Sequence, residues 1–275
     1  MNIPPDLIKE IANRNCIAFA GAGISQGAGL PGWPDLLRQM LDWYEKDGKK
    51  LTDRDELEEY IKKGDLLLVA QEMRERLGDN NFCDFMRDKF LDPKLKPTVS
   101  HNLLAKIPFA AIITPNYDKL MESSCTKFYG VEQHKFTHSD AAGLQRAMGD
   151  DRFYIFKSHG TIDDISTVIL GKKDYRNIMH NNQAYQIYMQ SIINNKTLLF
   201  IGFGLNDPDM DMIMDELDIA FKGYARKHYA LMNSAEIKSI KQKQLENDYN
   251  IQIIPYMPSA LHHPEVEAFL EDLAR

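Results

Sequence analysis

Short runs of consecutive apolar residues punctuate the chain, and each of the four strongest gives way to a turn of glycine or polar residues. They occupy residues 16–20 (CIAFA), 109–113 (FAAII), 153–157 (FYIFK) and 197–201 (TLLFI). Runs of this length without alternation mark strands buried on both faces, as in a parallel sheet. Weaker strand candidates fall at 134–137, 229–232 and 251–254. The segments between have the apolar spacing of helices. Leu36, Leu37, Met40, Leu41 and Tyr44 share a face within 35–47, and further helices are predicted at 5–14, 55–75, 80–91 and 98–106. Gly48, Gly64, Gly78 and the Pro93/Pro97 pair punctuate this stretch. Beyond it come a helix with Leu120, Met121, Ser124 and Phe128 on one side, one near 139–148, two within 171–195, one at 235–247 and a last one from about 264. Strands alternating with helices predict an α/β fold, a doubly wound, mostly parallel sheet with helices on both faces. Residues 35–106 contain no convincing strand and read as a helical insert within a single domain spanning 1–275.

In such sheets ligands bind outside the carboxyl ends of the strands. Four polar motifs sit just past predicted strands: GAGIS (21–25), TPNYD (114–118), SHGTI (158–162) and GFGLND (202–207). They are expected to converge on one rim. The first continues through Gly27 and Gly29, so that strand, glycine loop and helix follow in the order that binds nucleotide phosphates. The glycine spacing departs from the dinucleotide fingerprint, because the third glycine comes one place late. Residues 36–46 also look helical where a second strand with its acidic residue should lie. A Rossmann-like sheet is therefore predicted, but not an ordinary Rossmann dehydrogenase.

Composition narrows the classes. With 44% apolar and 27% charged residues in a chain of 275, a sizeable core and an ordinary polar surface are expected. A net charge of −7 argues against broad nucleic-acid binding, and no direct nucleic-acid partner is expected. No apolar run approaches the ~18 residues of a membrane span, and the first fifteen residues do not resemble a signal peptide. Three widely spaced cysteines (Cys16, Cys83 and Cys125) suggest reduced thiols in the cytoplasm and exclude a zinc site of four cysteines from this chain.

Individual residues carry the chemistry. His159, at a strand end beside Gly160, is a candidate general base, weighed against a structural role. Asn116 and Asp118 could cap the next helix or hold a ribose hydroxyl, a water or a carboxamide. The acidic run 207–211 resembles the start of a calcium loop, but Met212 stands where glycine is required and Asp218 where a bidentate Glu belongs. It reads instead as a helix capped by Asp207, with Met210, Ile213, Met214, Leu217 and Phe221 as its apolar stripe. No metal site is expected. The charges at 53–59 read as a solvated helix face and His262-His263 as a solvated turn.

Taken in order, these motifs resemble the sirtuin-like family, and within it the bacterial anti-phage defence branch. GAGIS with Gly29-Leu30-Pro31 is similar to the family's GAGxS…G[IL]P signature. Thr114-Pro115-Asn116-Tyr117-Asp118 is similar to TQN[IV]D, Ser158-His159-Gly160 to the catalytic HG, and Gly202-Phe203-Gly204 to the GTS ribose loop. Leu231-Met232-Asn233 resembles, more weakly, a late contact on the adenosine side. The resemblance implies NAD+ as substrate, lying across the rim. Gly21, Ala22 and Gly23 would meet the pyrophosphate, with Ile24 and Ser25 completing that loop. Asn116 would hold the nicotinamide-side ribose or a water, Asp118 the carboxamide, and His159 would act as base. Trp33 would cover the nicotinamide, and Thr114, Gly202, Gly204 and Asn233 complete the implied NAD site.

Departures from the family bear on the reaction. The two zinc-binding cysteine pairs of protein-deacylating sirtuins are missing, and the P-D-F-R segment becomes Pro31-Gly32-Trp33-Pro34. NAD+ hydrolysis to nicotinamide and ADP-ribose, as a NAD-depleting defence effector like those of Thoeris systems, is therefore the expected activity. Protein deacylation and a non-catalytic nucleotide-binding assembly module are the alternatives. Control is expected in trans or by self-assembly. Candidates are a homo-oligomer, a partner such as a HerA-type ATPase or a short Argonaute, or a longer protein of which this is the effector part.

Overall fold

The computed structural model describes residues 2–46, 48–149, 152–204, 226–260 and 263–275. Among these, strands β1 (Cys16–Ala20), β2 (Ala111–Thr114), β3 (His134–Thr137), β4 (Tyr154–Lys157), β5 (Thr197–Ile201), β6 (His228–Asn233) and β7 (Ile251–Tyr256) form one sheet. Their order is β3-β4-β2-β1-β5-β6-β7, and every neighbouring pair is parallel. β1 lies at the centre with all five residues buried, which is why its sequence is an unbroken apolar run. From β1 the chain builds β2, β3 and β4 on one side, then crosses to the other side as β5. The gap between β1 and β5 is thus the topological switch point, where open α/β sheets place their ligands.

Alternation along β1 divides the core. Ile17 and Phe19 join Ile113, Phe156 and Phe200 on one face, covered by Tyr185, Tyr188, Met189 and Ile192 of a helix at Gln183–Asn195. Ala18 and Ala20 join Ile112, Ile155 and Ile201 on the other. That face is covered by helices α1 (Pro5–Ala12), one at Val99–Lys106, one at Leu120–Tyr129 and the last, Pro264–Leu273. Each such aliphatic or aromatic side chain, fully buried, contributes ~1.5–3 kcal/mol. A third apolar cluster joins the helices Trp33–Glu45, Arg54–Lys63 and Leu66–Phe90 to Tyr117, Ile162 and Val168. Those three residues follow β2 and β4, so the helical layer packs against the rim loops.

Several boundaries differ from the sequence pattern. The predicted helix 55–75 is cut by Gly64, whose left-handed backbone (φ +89°) ends the first helix. Gly78 (φ +68°) breaks the next one internally, in agreement with its place between the predicted 55–75 and 80–91 helices. The 109–113 run becomes a strand only at Ala111 and extends through Thr114. A single helical turn, Gly23–Gln26, follows β1 where only a loop was expected. Phe128 does not join the buried stripe of Leu120, Met121, Ser124 and Cys125. It is half exposed, because at i+8 it stands about 80° around the helix from Leu120. The predicted helix beginning at Asp207 lies outside the described residues, as does His262. His263 is not a free solvated turn, since its Nδ1 lies 3.0 Å from the Tyr256 hydroxyl. No helix among the described residues is long and apolar enough to cross a membrane.

Candidate active site at the carboxyl rim

The turns after β1 and β5 are packed backbone to backbone. Gly21 N–H donates to Ile201 O and Gly23 N–H to Gly202 O, each at 2.9 Å. A Cβ on Gly21 would stand 2.6 Å from Gly202 O, and one on Gly202 (φ +77°) would stand 2.9 Å from Ile24 N. These glycines are therefore required by the approach of one turn to the other. The pattern corrects the view of them as a bare phosphate cradle, because the N–H groups of Gly21 and Gly23 are already spent. Ile24, Ser25 and Gln26 also donate within the turn, which leaves Ala22 as the residue of 21–26 whose N–H makes no hydrogen bond among the described residues.

Between the turns after β1, β2 and β4 lies a small pocket of about 40 Å³. Its walls include Ala22, Ser25, Trp33, Asn116, Asp118 and His159. The polar side chains bond to one another. The Ser25 hydroxyl donates to Asp118 Oδ2 at 2.9 Å, and Asn116 Nδ2 donates to Ser25 Oγ at 3.2 Å and to Gly21 O at 3.1 Å. Asp118 Oδ1 accepts from Leu120 N at 2.9 Å, so this carboxylate both caps the following helix and faces the pocket. Thr114, expected to touch the ligand, is buried and lines neither cavity. Its hydroxyl donates to Ala20 O at 2.7 Å and accepts from Asn116 N at 3.1 Å, which fixes the Asn116 turn against β1.

His101, on the helix Val99–Lys106, completes this network, and nothing in the linear sequence marked it. Its Nδ1 accepts from Thr98 N at 3.2 Å, which puts the ring hydrogen on Nε2, 3.3 Å from Ser25 Oγ. Burial pushes the His101 pKa down to about 4 against the pull of Asp118. His159 is buried with its Nδ1 3.3 Å from the Tyr175 hydroxyl and its ring edge-on to Tyr175. Burial, aided by His138, pushes its pKa down to about 3, so it is neutral near pH 7, the protonation state a base needs. Gly160 (φ +82°) does not open space for a ligand beside His159. A Cβ there would collide with Thr167 O, so this glycine admits the neighbouring chain.

The second cavity is an open cleft of about 1500 Å³ that shares Ala22 and Trp33 with the pocket. Gly23, Ile24, Gly202 and Gly204 line its inner part, and Asn233, Glu236, Lys238 and Lys241 its outer part beyond β6. Asn233 Nδ2 donates to Glu236 Oε1 and its Oδ1 accepts from Ala235 N, both at 2.9 Å. All the sequence-predicted site residues except Gly21 and Thr114 therefore line one cavity or the other. Gly21 acts through backbone packing and Thr114 through its tie to β1. No group of three or more His, Cys, Asp or Glu among the described residues is arranged to hold a metal ion.

Comparison with known proteins bears on this arrangement. The SIR2-like domain model matches residues 110–254. The chain is 30% identical to the NAD(+) hydrolase ThsA of Cytobacillus dafuensis, over 82% of this chain and 42% of that protein. It is 27% identical to the NAD(+) hydrolase ThsA of Bacillus cereus (strain MSX-D12), over 98% of this chain and 51% of that protein. It is 28% identical to Defense-associated sirtuin 2 of Bacillus subtilis, over 76% of this chain and 20% of that protein. The chain thus spans about half or less of the length of these relatives. With the family match covering more than half of its residues and the motif turns meeting on one rim, the chain belongs to the SIR2-like domain family.

Proposed function

We propose that this protein hydrolyses NAD+ at the bond between nicotinamide and ribose, releasing nicotinamide and ADP-ribose, and depletes NAD+ as an anti-phage defence effector. The observation that carries this is the joint placement of Asn116, Asp118 and His159 in one pocket that opens beside the switch-point cleft. The cleft has the size and polar lining for a dinucleotide, with Ala22 N–H and the Gly202 and Gly204 turn at its middle and Asn233 at its outer end. The nicotinamide end would lie toward Trp33 and the pocket. Cleavage passes through an oxocarbenium-like ribose, as in other glycoside hydrolysis. The bond's electron pair leaves with the cationic ring, which becomes neutral nicotinamide and needs no proton. Water then adds at the ribose carbon and gives its proton to His159, with Asn116 positioning the water or the ribose hydroxyls.

Names of the relatives support the reaction, since several are NAD(+) hydrolases. The buried free thiols Cys16 and Cys125 agree with a cytoplasmic setting. We place control in trans or in self-assembly, through a homo-oligomer or a sensor partner such as a HerA-type ATPase or a short Argonaute. The test is incubation of the full-length protein, alone and with candidate activators, with NAD+, followed by chromatography of nicotinamide and ADP-ribose and a measurement of assembly mass. His159→Ala and Asn116→Ala are each expected to lower turnover on the order of a hundredfold or more. Intact NAD+ under every condition, or full turnover by both variants, would reject the reading.

A further inference from the structure

Lysine is almost never fully buried without a partner, yet Lys157, the last residue of β4, has a side chain only 1% exposed. Its Nζ donates to the backbone carbonyl of Asp118 and lies 3.3 Å from Glu122 Oε1, on the first turn of the helix Leu120–Tyr129. Glu122 is itself largely buried, at 13% exposure. The register of β2 and β4 explains the reach. Lys157 pairs with Thr114, so its side chain crosses beneath the turn that carries Asn116 and Asp118. One residue further along, Ser158 N–H donates to Thr114 O at 3.0 Å, and His159 follows.

We infer that Lys157 is a positioning residue for the site, an ammonium clamp that sets the spacing between the Asp118 turn and the His159 turn, with Glu122 as its counterion. Asp118 is held at both ends. Ser25 and Leu120 fix its carboxylate, and Lys157 fixes its carbonyl. Without the ammonium, the carbonyl loses its donor and only the carboxylate end of Asp118 stays fixed. The pocket would keep its residues and lose their relative placement. The clamp rests on the proposed reaction only for its catalytic consequence, since its effect on the turn is a property of the fold.

Lys157→Met alone would leave Glu122 charged and buried, so it would confuse folding with function. The informative set is wild type, Glu122→Gln, and the neutral pair Lys157→Met with Glu122→Gln, all in the full-length protein. Two measurements apply: steady-state NAD+ hydrolysis and hydrogen exchange of the amides at 114–120. Glu122→Gln keeps the lysine–carbonyl bond but leaves the buried ammonium without its counterion, so it serves as the stability control. It is expected to be less stable, while its folded fraction keeps a kcat closer to wild type than the neutral pair. The neutral pair is expected to lose on the order of tenfold to a hundredfold in kcat, the cost of misplacing reacting groups by up to an ångström, with KM changed by less than about twofold. Its 114–120 amides should exchange faster while those of β1 and β5 stay protected. A neutral pair with wild-type kcat, or with unchanged exchange at 114–120, overturns the clamp. If wild type leaves NAD+ intact, the hydrolysis reading fails by itself, and the exchange measurement still decides the role of Lys157.

Discussion

The small pocket beside β2 and the large cleft beside β6 share two walls, Ala22 and Trp33, yet they treat polar groups in opposite ways. In the pocket, Ser25, Asn116, Asp118 and His101 bond to one another across three elements far apart in sequence, and all but Asn116 are fully buried. In the outer cleft, the Asn233 side chain bonds to residues two and three positions away, and Glu236 and Lys238 are exposed. A buried network of this kind is fixed before any ligand arrives, and each member is costly to unpair. An exposed lining is solvated and can adapt. Under the proposed hydrolysis, the difference would give reaction geometry to the pocket and dinucleotide affinity to the cleft.

One glycine should break the comparison by collapsing both regions together. Gly202→Ala puts a Cβ at φ +77° and against the backbone of Ile24, so it strains the β1–β5 apposition on which both cavities are built. A loss of ~1–3 kcal/mol is expected in a denaturant melt, together with weakened NAD+ binding by calorimetry. Stability equal to wild type would mean that the two turns need not touch.

Acid sharpens the contrast next. The pKa of His101 is pushed down to about 4, that of His159 to about 3 and that of His228 to about 4, in each case chiefly by burial. The unfolded imidazoles take up protons near 6.5, so between that pH and the folded values the unfolded state binds more protons. Stability is full above about pH 6.5 and falls as pH drops through the window, at about 1.4 kcal/mol per pH unit for each histidine. Of these, His159 lines the pocket and His101 stands behind it through Ser25. His138, also held down chiefly by burial, adds to the slope, so His228→Asn, at the far end of the sheet, should remove only its own share in chemical melts at stepped pH. Loss of the whole slope would count against the pocket pair. The smallest effect is expected in the cleft. Asn233→Ala should raise KM for NAD+ about fivefold, the worth of one ordinary hydrogen bond of ~1 kcal/mol, and leave kcat nearly unchanged. A kcat loss as large as that of a pocket variant would erase the division of labour.

Much of this was legible along the chain. Unbroken apolar runs gave β1, β2, β4 and β5 to within two residues, because strands buried on both faces have no polar positions to blur them. Asn116, Asp118 and His159 stood out because polar groups directly after such runs must lie at the strand ends. The glycines were legible as a turn, but their reason was not. Gly21, Gly23 and Gly160 serve contacts with Gly202 and Thr167, and sequence order carries no record of which backbone will approach which.

Linear order alone determined the class of fold, the rim on which the motifs gather and the candidate side chains of the site, since each depends on local periodicity and on residue chemistry. Tertiary structure alone decided which groups are spent and which remain available. It committed the Gly21 and Gly23 amides and the Thr114 hydroxyl to neighbouring turns, and it brought in His101 and Lys157, whose part in the site nothing local marks. The physical reason is that hydrogen-bond partners and burial are properties of separated segments brought together, and only the packed sheet sets those distances.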